Sequence, residues 1–187
     1  VVGSTGSGKS TLINLVPRFY DVTEGKILVD NLDIRDVTQH DLRDKIGYVP
    51  QKASLFFGTV ESNIAFGKEQ YDEAEVKKAA ETAQLMEFIG STEKGFETPI
   101  SQEGKNVSGG QKQRLAIARA FLKKPEIYIF DDSFSAVDFK TDAALRKALN
   151  KETDRAAVLI VAQRINTVLD ADQIIVLENG RMVGKGT

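Results

Sequence analysis

Two carboxylates stand side by side at Asp131 and Asp132, directly after the apolar run Ile127 to Phe130, and a third follows at Asp138. Far upstream, Gly3-Ser4-Thr5-Gly6-Ser7-Gly8-Lys9-Ser10-Thr11 carries the spacing G-x-x-x-x-G-K-[ST]. Glycines so placed let backbone N–H groups turn inward around phosphate oxygens, and a helix starting there adds partial positive charge. Lys9 then reaches the β- and γ-phosphates of a nucleotide, and Ser10 holds Mg²⁺. An apolar strand ending in Asp131 puts a carboxylate at the sheet's carboxyl edge, where a Mg²⁺-bound nucleotide needs one. Side chains alternate along a strand, so Asp132 is expected to point away from Asp131, toward the γ-phosphate and its attacking water.

Such groups must be held by a sheet with helices packed on it, and the sequence supplies the pattern. Short apolar β-rich runs alternate with helical ones, which predicts an α/β fold with a mostly parallel sheet. The strand candidates are Val1-Val2, Lys26 to Val29, Ile46 to Val49, Ile127 to Asp131, Ala157 to Val161 and Gln173 to Leu177. A last strand, Arg181 to Lys185, follows the turn pair Asn179-Gly180 and predicts a hairpin. A helix is expected from Thr11 to Val16. Between Gln51 and Lys123 no strong strand is seen; Val76, Ala79, Ala83 and Met86 fall on one face of a helix expected from about Asp72 to Ile89. Residues 52–121 therefore read as a helical insertion into a core formed by 1–51 and 122–187.

Composition narrows the function classes. A net charge of -2 offers no basic field for nucleic acid. The absence of cysteine rules out a disulfide scaffold and thiolate metal sites. No apolar run reaches the roughly 20 residues that cross a bilayer, so a membrane link is expected through other sequence or a partner. Val1-Val2 reads as a strand entered midway, and the chain is expected to be part of a longer one.

Many chemistries use a phosphate loop, and a second stretch is more specific. In "NVSGGQKQRLAIARAFLKKP", Asn106 to Pro125, the run Ser108-Gly109-Gly110-Gln111 opens a long helix and so makes a second helix N-terminus suited to an anion. It resembles the signature sequence of ATP-binding cassette (ABC) proteins, and the other motifs agree in order. Gln51, in "YVPQ", resembles the family's Q-loop glutamine, which contacts Mg²⁺ and the transport partner. "SAVD", Ser135 to Asp138, resembles the D-loop, and "VAQR", through Arg164, occupies the switch-loop position. "GTVESNIAFG", residues 58–67, is similar to the stretch after the Q-loop in exporters with fused membrane domains.

The resemblance implies a P-loop NTPase core of RecA type with an inserted helical subdomain, preceded in the family by antiparallel strands and an adenine-stacking aromatic that this chain does not include. It implies ATP and Mg²⁺ as ligands, with Ser10, Gln51 and Asp131 toward the metal and Asp132, Gln163 and Asp138 as catalytic positions. It also implies a head-to-tail pair of cassettes on the inner face of a membrane, joined to a transmembrane domain, each nucleotide lying between one phosphate loop and the other subunit's signature.

Three positions depart from the family pattern. Asp132 stands where the family has Glu, which shortens the reach by about 1.5 Å. Gln163 stands where the family has His; it can donate and accept hydrogen bonds but carries no positive charge. Ser101 and Gln102 replace a Gly and a Glu in the loop before the signature. The first two imply a subunit that binds ATP and hydrolyses it slowly while lending an intact signature to a partner. Two alternatives stand beside this: a self-sufficient homodimeric ATPase, and a nucleotide-sensing module without transport. "NKET", Asn150 to Thr153, lacks the final Asp of a guanine-reading motif, and no G-x-G-x-x-G dinucleotide fingerprint is present. His40 is expected on a surface helix.

Overall fold

The structure, a computed structural model, describes residues 1–163 and 167–187. A two-residue strand β1 (Val2–Gly3) leads into α1 (Lys9–Asn14), the strands β2 (Leu28–Val29) and β3 (Leu32–Asp33), α2 (Gln39–Asp44) and β4 (Ile46–Val49). A mainly helical stretch follows: β5 (Gly58–Thr59), α3 (Val60–Ile64), α4 (Glu73–Thr82), α5 (Met86–Gly90), β6 (Pro99–Ile100) and α6 (Gly109–Lys123). The chain then alternates again through β7 (Ile127–Asp131), α7 (Phe139–Glu152), β8 (Ala157–Val161), β9 (Ile174–Glu178) and β10 (Arg181–Gly186).

β7 is the central strand of a parallel trio, with β4 on one side and β8 on the other. All five of its residues are buried, and its period of two divides them between two cores. Ile127 and Ile129 join Ile13, Ile34, Leu42, Ile46 and Val161 on one face. Tyr128 and Phe130 join the larger cluster on the other, which includes Leu115, Ile117 and Leu122 of α6, Val76 of α4 and Leu145 of α7. The alternation carries Asp131 to the same face as Ile13, and hence toward α1.

A second parallel pairing joins β1 to β9, and β10 returns antiparallel to β9. Asn179 and Gly180 both have positive φ, 49° and 75°, as a tight hairpin turn between right-twisted strands requires. The two trios meet at Val1: its nitrogen donates to the Ile160 carbonyl at 2.6 Å, and the Val1 carbonyl accepts from the Ala162 N–H at 3.1 Å. Gly3 is packed so closely here that an added Cβ would collide with the carbonyl oxygen of Leu177. Gly3→Ala is therefore expected to destabilise the fold by about 3 kcal/mol, read as a lower denaturation midpoint in urea.

The strands at Ile46, Ile127 and Ala157 and the terminal hairpin fall where the sequence pattern puts them, with β9 shifted one residue later. Other expectations need correction. The strand expected from Lys26 shrinks to Leu28–Val29, closed by a turn at Asp30 and Asn31, both at positive φ. The first helix starts at Lys9 and ends at Asn14, earlier than Thr11 to Val16. A short antiparallel pairing of β5 with β6, two residues each, lies within the stretch where no strong strand was expected. The single helix expected from Asp72 to Ile89 is two, because Gln84 adopts a left-handed φ of 56° between α4 and α5. His40 lies exposed on α2, beside Asp44, as expected.

Charged pairs join α4 to the end of α6. Glu75 meets Lys124 at 2.6 Å and Lys68 at 3.1 Å, and Lys68 also donates to the Leu122 carbonyl. Hydrogen bonds from Lys124 and Lys68 hold the Glu75 carboxyl down at about 2, against an ordinary 4.5. A depressed folded-state value means stability that is fully present above pH 4.5 and lost as pH falls through about 2. The melting-temperature gap between wild type and Glu75→Gln should be constant above that window and close within it, and above the window it should shrink with added salt.

Candidate nucleotide site

The loop between β1 and α1 is shaped by its glycines. Gly8 caps α1 with φ 95°, where a side chain would be strained, and Gly6 has φ 80°. The turn of the C-terminal hairpin braces the loop from behind, the Gly180 N–H donating to the Ser7 carbonyl at 3.1 Å. Ser4, Thr5, Gly6, Ser10 and Thr11 are exposed, whereas Ser7 and Lys9 are buried. The Lys9 ammonium donates to the carbonyls of Gly3 (2.8 Å) and Ser4 (2.6 Å) and to the Ser7 hydroxyl (3.3 Å). A buried cation whose acceptors are all neutral leaves its charge uncompensated, which suits an anion at the loop's mouth. The loop therefore fits a polyphosphate.

At the end of β7, Asp131 accepts from the Ser10 hydroxyl at 2.9 Å. One hydroxyl and one carboxylate, both hard oxygen donors, are what Mg²⁺ takes from protein when phosphate oxygens supply the rest. Tyr48, opposite Ile129 in the β4–β7 register, donates its hydroxyl to Asn14 at 2.9 Å and lies 3.5 Å from the other Asp131 oxygen. Burial first, and then the Asp131 charge, push its phenol up to about 12. Tyr48 was not singled out from sequence; its alternation with Val49 on the strand that leads to Gln51 was the signal that could have placed it.

Asp132 does diverge from Asp131, but not by strand alternation. It takes a left-handed φ of 48° just beyond β7 while its N–H still reaches the Val161 carbonyl. Its Oδ2 accepts from Gln163 Nε2 at 2.8 Å and from Gln51 Nε2 at 3.2 Å. Gln51 is delivered by neighbours: the Gln113 amide of α6 donates to the Pro50 carbonyl, and the Ser133 hydroxyl to the Val49 carbonyl, each at 2.8 Å. Gln51, expected near the metal, thus places its amide nitrogen on Asp132. Arg164, the last residue of the expected switch stretch, lies outside the described residues.

The other candidates gather elsewhere. Ser108 caps α6, its hydroxyl accepting from the Gln111 N–H while the Gln111 side chain accepts from the Ser108 N–H, a reciprocal capping box. Gly109 and Gly110 form the first turn, and a Cβ on Gly110 would sit 3.2 Å from the Ala136 carbonyl oxygen. Asp138 is exposed and caps α7 through the Thr141 N–H at 3.0 Å, a bond that holds its carboxyl below the usual range. No hydrogen bond among the described residues links Ser108 to Gln111, or Asp138, to the phosphate loop. The chain therefore presents two separate anion-suited ends.

A mostly parallel sheet, a glycine loop closing on a buried lysine and a strand-end carboxylate on the following serine define a P-loop nucleoside triphosphatase. The model of the ABC transporter family matches residues 1–135, and the chain belongs to that family, whose ATP-binding domains are ATPases. It is 46% identical over 187 residues to an uncharacterized ABC transporter ATP-binding protein, YfiB, of Bacillus subtilis, and 44% identical over 187 residues to a putative multidrug export ATP-binding/permease protein, YgaD, of the same organism. Both alignments cover 100% of this chain and 32% of the relative. A solved structure of a bacterial Atm1-family ABC exporter with ATP bound superposes with a TM-score of 0.97 at 41% identity, covering 100% of this chain and 33% of that one. The chain thus spans about a third of the length of these relatives, and no helix among the described residues is long and apolar enough to cross a membrane.

Proposed function

We propose that this chain is the ATP-binding motor of a membrane exporter, paired head to tail with a second cassette, and that its own phosphate loop holds Mg-ATP in a slow site. Residues 1–51 and 122–187 form the ATP-binding core, and 52–121 the helical part that carries the signature. Gly3 to Thr11 cradle the phosphates, Ser10 and Asp131 hold Mg²⁺ with Gln51 beside it, and Ser108 to Gln111 complete the partner's site. The observation that carries the slow-site reading is the bonding of Asp132. A carboxylate one methylene short of the family's glutamate is held by two neutral amides, Gln51 and Gln163, and by no imidazole.

In such a site Asp132 is a poor acceptor for a water proton, because its Oδ2 lone pairs are already engaged and its reach is short. Gln163 cannot add the charge-assisted contact to a γ-phosphate that a protonated imidazole gives. Mg²⁺, when bound, supplies charge neutralisation of the phosphates; binding therefore persists while water activation does not. The partner's loop, facing Ser108 to Gln111, carries the turnover.

A membrane part is proposed to dock on an aromatic patch at the start of the helical region, at the inner face of the membrane. Phe56 and Phe66 stack at 3.9 Å between centroids, Arg119 lies 5.3 Å from each ring, and Phe57 is 84% exposed beside them. Burial holds the Arg119 guanidinium down at about 10. The assembly is tested by purifying the exporter with its partner cassette and comparing two carboxylate variants. Asp132→Ala should leave transport largely intact, and the partner's equivalent change should abolish it. The reverse ranking would sink the proposal.

A further inference from the structure

Resting on the head-to-tail reading, we infer that Arg114 is a positioning residue: it locks the start of α6, the turn before α7 and the α4–α5 break into one unit, so that Ser108 to Gln111 and Asp138 meet a partner in fixed register. Gly110 and Arg114 are four residues apart and share one face of α6. At the first of these positions the helix backbone lies against the turn that leads to Asp138, too close to the Ala136 carbonyl for any side chain to fit without a shift. One turn further on, Arg114 Nη1 donates to the Gln84 carbonyl at 2.6 Å. That carbonyl is open to it because Gln84, in its left-handed conformation, lies between the end of α4 and the start of α5.

The guanidinium therefore holds the break between α4 and α5 while sharing a helix face with the contact to the D-loop turn. Burial pushes its guanidinium below the ordinary arginine range, and the charges of Asp138 and Glu87 oppose that shift. Its Nε is buried with no hydrogen-bond partner among the described residues, so the fork is held by packing and by its one short bond. Lysine, a point charge on a flexible stem, cannot reproduce a planar fork.

Hydrogen–deuterium exchange on the intact protein tests the lock. Arg114→Met should raise exchange about tenfold, together, in peptides covering 84–88, 108–111 and 136–141, with β7 and β8 unchanged. It should also weaken ATP-dependent association with a second cassette about tenfold. Arg114→Lys should fall between wild type and Arg114→Met in both readouts, which also guards against a variant that merely misfolds. Exchange that rises at 84–88 alone, or nowhere, overturns the inference. Wild-type protein that never associates on ATP addition sinks the head-to-tail reading; a joint rise in the three segments would still establish the lock.

Discussion

Lys9→Met is expected to weaken Mg-ATP binding by on the order of a hundredfold, measured by calorimetry on the intact protein. The ammonium would exchange its contacts with neutral oxygens for charge-assisted bonds to phosphate, each worth roughly 1.5–3 kcal/mol, and two such bonds correspond to at least that factor. The nucleotide-free fold should tolerate the change well. Lys9 bonds only to oxygens of its own loop, at Gly3, Ser4 and Ser7, and methionine fills much of the same space without a buried charge. A variant that melts near the wild-type temperature and binds ATP with wild-type affinity would remove the loop from the site.

The second large effect is a gain. Asp132→Glu with Gln163→His should raise phosphate release at this chain's own loop by about a hundredfold in the paired exporter, the loss associated with misplacing a catalytic group by about 1 Å. The two changes should not add independently, because the side chains meet at a single oxygen, 2.8 Å apart. Each single variant is expected to recover only part: the longer carboxylate reaches water but still accepts from an amide, and the imidazole lacks a base of proper length. Turnover that stays at the wild-type level in the double variant would place the slow step elsewhere.

Much of this site was legible because local rules wrote it. The phosphate loop is a fixed spacing of glycines before a lysine, β7 is an apolar run with a period of two, and the hairpin after Glu178 is an Asn-Gly pair. The legible parts share one property: each depends on residues a few positions apart. The helix break at Gln84 was hidden because Ala83, Gln84 and Leu85 all favour helix, and the turn is paired with an arginine thirty positions away. The bonding of Asp132 was hidden for the same reason, since Gln51 and Gln163 reach it from opposite sides of the sequence. In the fold, strand alternation carries Asp131 to the α1 face, where it meets Ser10. Alternation does not account for the divergence of Asp132, which comes from a backbone flip after the strand ends.

Val1 and the two residues of β1 form the join between the two strand trios among the described residues, and the nucleotide loop hangs from that join. A ligand gripping the loop therefore touches the segment that both trios share. Saturating Mg-ATP should raise the melting temperature of the whole fold, growing with the logarithm of its concentration over the dissociation constant.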